Sequence, residues 1–90
     1  MEVNDSVVSS DKALKVTLEA FDPNTGKGSV RIEELLPKKG RFYVTLTYGE
    51  GGQTRIDYKS YDVYKASAHS FSTNRNDAFK GIEIVPVVAD

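Results

Sequence analysis

The sequence predicts an all-β domain: a small five- to six-stranded antiparallel barrel, OB-like, with an immunoglobulin-like β-sandwich as the alternative. Three observations carry this expectation. Apolar and polar residues alternate with period two through 14–20, 29–33, 42–48 and 54–60, the signature of half-buried strands. Turn-forming residues recur between these runs at intervals of roughly 8 to 12 residues, as in small barrels and sandwiches. No segment shows the strong apolar stripe of an amphipathic helix.

Residues 1–10 surround Val7-Val8 with small polar residues and read as a flexible N-terminal arm or an edge strand. Residues 11–90 read as a single β domain. Its first strand places Leu14, Val16, Leu18 and Ala20 on one face and Lys15, Thr17 and Glu19 on the other, and Phe21 breaks the alternation. Asp22-Pro23-Asn24-Thr25-Gly26-Lys27-Gly28 is dense turn chemistry, because Pro presets φ, Asp and Asn cap locally and Gly permits positive φ. A second strand, Ser29 to Glu33, turns Val30 and Ile32 inward, and Pro37-Lys38-Lys39-Gly40 reverses the chain.

Arg41 to Tyr61 forms a hairpin around Gly49-Glu50-Gly51-Gly52-Gln53, a loop of five residues with three glycines. The expected register sets Tyr48 opposite Thr54, Leu46 opposite Ile56 and Phe42 opposite Ser60. One face then collects Phe42, Val44, Leu46, Tyr48, Ile56 and Tyr58, and the other Arg41, Tyr43, Thr45, Thr47, Arg55, Asp57, Lys59 and Tyr61. Asp62 to Ala66 is expected to continue as strand. Ser67 to Asp77 reads as a long loop with room for a short strand around His69 to Ser72, and loops of that length tend to be functional. Ile82 to Val88 closes the chain as a strand whose Pro86, lacking an N–H, belongs at an edge.

Ninety residues without a cysteine exclude a disulfide framework and a thiolate metal site. The first residues lack the basic start and apolar run of a signal peptide, and no stretch approaches the roughly 20 apolar residues of a membrane span. A cytoplasmic location is the expectation. The net charge of −1 conceals a segregation. Residues 1–25 carry two lysines against five acidic residues, and residues 76–90 one lysine against three acidic residues. Between them, nine basic residues face five acidic ones, which points toward an anionic partner.

Catalysis has little to work with. His69 is the only histidine, and Glu33 and Glu34, adjacent on a strand, point to opposite faces rather than forming a dyad. No enzyme activity, no cofactor and no metal site is expected. Thr25-Gly26-Lys27-Gly28-Ser29 lacks the upstream glycine and the following helix of a phosphate loop, since Phe21 holds the first position and a strand follows.

The hairpin's polar face is the candidate site. Tyr43 and Tyr61 near Arg41, Arg55 and Lys59 offer flat rings for bases and cations for phosphates, with Lys38 and Lys39 at the rim. Single-stranded nucleic-acid binding by a non-catalytic module is the first reading of function. Against it, Tyr and Thr suit any exposed sheet face. The alternative is a protein-binding accessory, such as an inhibitor, a phage counter-defence factor or a structural subunit. It would act through a strand edge or the 67–77 loop, with His69, Phe71, Asn74 and Arg75 as contacts. A homodimer formed by pairing exposed edges is compatible with either.

Two resemblances bear on fold. Phe21-Asp22-Pro23-Asn24-Thr25-Gly26-Lys27-Gly28-Ser29-Val30 resembles the first strand-turn-strand of cold-shock domains, although Ser29 and Val30 stand where those domains carry aromatic residues. Tyr61-Asp62-Val63, the serine-rich run and Ile82 to Pro86 are similar to the closing strands of the small single-stranded-DNA-binding proteins of filamentous phages. Both resemblances imply an OB-type fold, and the second implies a dimer.

Overall fold

Alternation with period two makes strands of the expected runs, and the residues between them decide where each strand turns. The computed structural model describes residues 1–37, 40–60 and 64–87. Seven strands follow in chain order: β1 (Ser6–Val8), β2 (Leu14–Asp22), β3 (Lys27–Glu34), β4 (Gly40–Tyr48), β5 (Gly52–Ser60), β6 (Ala66–Ser72) and β7 (Phe79–Val87). All pairings are antiparallel. They build a four-stranded sheet in the order β1-β2-β3-β6 and a three-stranded sheet in the order β5-β4-β7.

The expected barrel is therefore corrected to an open two-sheet sandwich. A barrel needs a continuous ladder around its circumference, and among the described residues no ladder joins β5 to β6 or β1 to β7. The immunoglobulin order is not followed either. That order pairs the first, second, fifth and fourth strands in one sheet, whereas here β1, β2 and β3 form a meander extended by β6.

Between the sheets lie Leu14, Val16 and Leu18 of β2, Val30 and Ile32 of β3, Phe42, Val44 and Leu46 of β4, Phe71 of β6, and Phe79 and Ile82 of β7, all buried. The sets on β2, β3 and β4 come from alternate positions, so the facial sorting read there from the sequence carries into the core, whereas Phe79 and Ile82 are three apart because the β4–β7 register shifts between them. Phe21 departs from that sorting for a visible reason. The β2–β3 register shifts between Leu18 and Ala20, leaving Glu19 as the extra residue of a β-bulge. The bulge swings Phe21 toward the core, where it stacks on Phe71 with centroids 6.2 Å apart and lies 5.7 Å from Phe79. Gly28, opposite Phe21, leaves the room: a Cβ there would sit 2.6 Å from the Phe71 ring.

The central hairpin keeps its faces and changes its register. Tyr48 pairs with Gly52, Leu46 with Thr54, Val44 with Ile56 and Phe42 with Tyr58, a slip of two residues from the expected pairing. The connection is the three residues Gly49-Glu50-Gly51, tightened by positive φ of 57° at Gly49 and 81° at Gly51. A slip of one residue would have inverted the faces. A slip of two preserves them, so alternation alone does not select between the two registers.

Two further expectations change. Residues 67–72, read mainly as loop, belong to β6, which pairs residue for residue with β3 without a bulge. Tyr64 and Lys65, expected as strand, precede β6. The remainder of the expected hairpin extension, 61–63, lies outside the described residues. Pro86 sits opposite Phe42 on β7, an edge strand of its sheet, where a missing N–H leaves no ladder bond unmade.

Candidate functional site

Four of the residues read as a nucleic-acid platform emerge on one face. Arg41 and Tyr43 of β4 and Arg55 and Lys59 of β5 all point away from the core. Across this outer face, Arg41 stands opposite Lys59 and Val87, Tyr43 opposite Asp57 and Val85, and Thr45 opposite Arg55 and Glu83. The Arg55 guanidinium carbon lies 4.2 Å from the centroid of the Tyr43 ring, a cation–π contact. Its Nε stands 3.4 Å from Asp57 Oδ1. The ring offered for base stacking is thus already capped by an arginine whose charge is shared with a carboxylate. Lys38, Lys39 and Tyr61 lie outside the described residues.

The residues proposed for a binding loop are dispersed. Phe71 is 6% exposed and belongs to the aromatic group with Phe21 and Phe79. His69 is half-buried on the inner face of β6, its ring edge-on to Tyr58 at 6.0 Å. Asn74 and Arg75 lie in the β6–β7 connection, where the Asn74 carbonyl accepts from the Asp77 N–H at 3.3 Å and Arg75 Nε donates to the Asn24 carbonyl at 3.4 Å. This connection and the β4–β5 turn border an open polar cleft of about 780 Å³. Among the described residues, no group of three His, Cys, Asp or Glu side chains could hold a metal ion.

A cluster not anticipated from the sequence sits between β3, β5 and β6. Glu34 is 4% exposed; its Oε2 accepts from the Tyr58 hydroxyl at 3.0 Å and its Oε1 from the Ser60 hydroxyl at 2.6 Å. Both donors are themselves buried. Burial, followed by the hydrogen bond and the charge of Glu34, pushes the Tyr58 hydroxyl up to about 12, with a weaker opposing effect from Ser67. Ser67 Oγ and His69 Nε2 share a hydrogen bond of 2.9 Å beside it. Glu33 and Glu34 do face opposite ways, and Glu33 lies outward with Arg31 at 3.7 Å. The missed signal was parity, since Val30, Ile32 and Glu34 occupy the same side of one strand.

The four sheet edges differ in how they meet water. β1 is three residues long. β5 carries Arg55, Asp57 and Lys59 at alternate exposed positions. β7 contains Pro86, and its ladder with β4 is interrupted by a register shift at Thr47/Tyr48. Short length, charge, proline and bulges are the usual devices that keep a sheet edge from pairing with another chain. β6, Ala66-Ser67-Ala68-His69-Ser70-Phe71-Ser72, has none of them.

The free side of β6 can be assigned residue by residue. Glu34 N–H donates to the Lys65 carbonyl at 2.8 Å and Thr73 N–H donates to the Gly26 carbonyl at 2.6 Å. Residues 65 and 73 therefore turn their backbone groups toward β3. In an antiparallel pair this orientation alternates, so 67, 69 and 71 do the same, and Ala66, Ala68, Ser70 and Ser72 turn theirs away. All four of these residues are exposed and small. No family model matches the chain, and neither a curated protein nor a solved structure matches it.

Proposed function

We propose that this protein is a non-catalytic binding module that takes up an extended segment of a protein partner along the free edge of β6. One observation carries the reading: β6 is a bulge-free, uncharged, seven-residue edge strand with no blunting device, in a domain whose other three edges each have one. Strand addition recruits partners through main-chain hydrogen bonds and draws specificity from alternate side chains. Ala66, Ala68, Ser70 and Ser72 supply the main-chain groups, and their small side chains leave the approach open. His69 and Ser67, half-buried on the inner face, would meet the inward side chains of the incoming segment.

The test is amide hydrogen exchange combined with an edge block. Amides of Ala66, Ala68, Ser70 and Ser72 exchange fast in the isolated chain and slow when the edge is occupied. Ala68→Lys/Ser70→Lys leaves the β3 ladder intact and abolishes capture of the partner. Equal capture by the wild type and this double variant would exclude the β6 edge.

Nucleic-acid binding on the outer face of β5-β4-β7 is the second reading, favoured by the common exposure of Arg41, Arg55 and Lys59 on one face. Binding of this kind weakens steeply with salt as condensed counterions are displaced. Asp57 and Glu83 on the same face and the capping of Tyr43 by Arg55 argue against it. A labelled oligonucleotide that shows no affinity at low salt removes it.

A further inference from the structure

We propose that the strand taken up by β6 is β6 of a second copy of this chain, antiparallel about a two-fold axis at His69, joining two four-stranded sheets into one of eight strands. This rests on the reading of β6 as a strand-adding edge and names its occupant. The four residues whose backbone groups face the free side, 66, 68, 70 and 72, are symmetric about position 69. An antiparallel second copy centred there overlaps all seven residues of β6. It sets Ala66 opposite Ser72 and Ala68 opposite Ser70, and their reciprocal bonds engage every outward N–H and C=O of the strand.

Side-chain chemistry favours the same occupant. A two-fold interface places a strand against itself, so a charged edge brings charges of its own composition into register. β5, with Arg55, Asp57 and Lys59 at alternate positions, would set Arg55 against Lys59 and Asp57 against itself in a register centred on residue 57. β6 carries no Asp, Glu, Lys or Arg. Its outer face presents only alanine and serine, so no side chain obstructs the approach, and each alanine meets a serine. On the inner face His69 meets its symmetry mate, and Ser67 meets Phe71.

The geometry makes a sharp test because the chain has no cysteine. Position 69 faces its mate as a non-hydrogen-bonded pair, with Cα atoms about 4.5 Å apart, inside the range that a disulfide spans. Position 70 lies about 7–8 Å from its own mate, beyond that range. Sedimentation of the wild type across a broad concentration range should show a monomer–dimer equilibrium, weakened about tenfold or more by Ala68→Lys/Ser70→Lys, which opposes lysines across the pair. Under mild oxidation by oxidised glutathione, His69→Cys should give a covalent dimer and Ser70→Cys should not. A chain that stays monomeric and forms no bridge at 69 overturns the proposal. If its β6 amides still become protected by another protein, strand addition stands and only the occupant was wrong. A dimer that survives the two lysines, or bridges equally well at 70, uses another surface or register and overturns the proposal too.

Discussion

β5 and β6 are the edge strands on either side of the same opening in the sandwich, and their sequences meet the solvent in opposite ways. β5 alternates a buried or half-buried inward set, Ile56, Tyr58 and Ser60, with outward Arg55, Asp57 and Lys59. β6 alternates inward Ser67, His69 and Phe71 with outward Ala66, Ala68, Ser70 and Ser72. Both obey period two, and both bury their inward residues against the same core. The difference lies in the outward residues alone. Charges on β5 guard its edge, whereas alanine and serine on β6 leave its edge open. Edge character is thus set by side chains that contribute little to folding, which lets one strand be guarded and its neighbour exposed within one stable domain.

The polar cluster between these strands gives the largest expected effect. Glu34→Ala leaves the Tyr58 and Ser60 hydroxyls without their buried acceptor. At about 1.5–3 kcal/mol for each hydrogen bond to a carboxylate, the loss is about 3–6 kcal/mol, measured as a fall in the denaturation midpoint. A change below about 1 kcal/mol would mean that the cluster does not hold β5 and β6 in place.

Next in size is an alkaline effect at the same cluster. Tyr58 titrates at about 12 in the fold against an ordinary 10.0, so the fold favours its neutral form. That stabilisation is complete below pH 10.0 and is lost as pH rises through about 12. Stability should fall across this window in the wild type and fall less in Tyr58→Phe. Identical pH profiles would remove the assignment.

A pair of prolines then distinguishes the two sides of β6. His69 turns its N–H toward β3, so His69→Pro breaks a ladder bond and should cost about 1–3 kcal/mol. The N–H of Ala68 faces the open edge, so Ala68→Pro should change stability by no more than about 1 kcal/mol. Thermal melts of the two variants check the parity assignment on which the strand-addition reading depends. The reverse order would invert it.

The smallest effect lies on the guarded strand. Arg55→Ala removes the cation–π contact with Tyr43 and an exposed ion pair with Asp57, and should cost about 0.5–1 kcal/mol. It also thins the charge on β5, so light scattering of concentrated protein should rise. Unchanged scattering would indicate that the remaining charges are a sufficient guard.

Much of this was legible beforehand, and the failures share a cause. The inward sets of β3, β4 and β5, and of β2 as far as Leu18, were readable because alternation is local and any wrong assignment exposes a run of apolar groups. Ala20, read as inward, is exposed beyond the bulge at Glu19. Even the anomaly at Phe21 was visible, although only the pairing with β3 shows it to be a bulge that completes an aromatic group with Phe71 and Phe79. β6 was hidden because alanine and serine give a weak strand signal; tertiary pairing with β3 supplies what propensity lacks. Glu34 was read correctly for direction and not for burial, since nothing local announces that Tyr58 and Ser60, more than twenty residues downstream, will surround its carboxylate.

The sequence by itself determined the all-β class and which side chains of each alternating strand face the core, because a period of two residues is written into every strand independently of its partners. Tertiary structure alone decided how the strands outside the central hairpin pair, that the sheets stay open as a sandwich, the two-residue slip in the hairpin and the exposure of the β6 edge. Each of these depends on contacts between distant segments, and several pairings satisfy the same alternation equally well. Packing between the two sheets breaks that degeneracy.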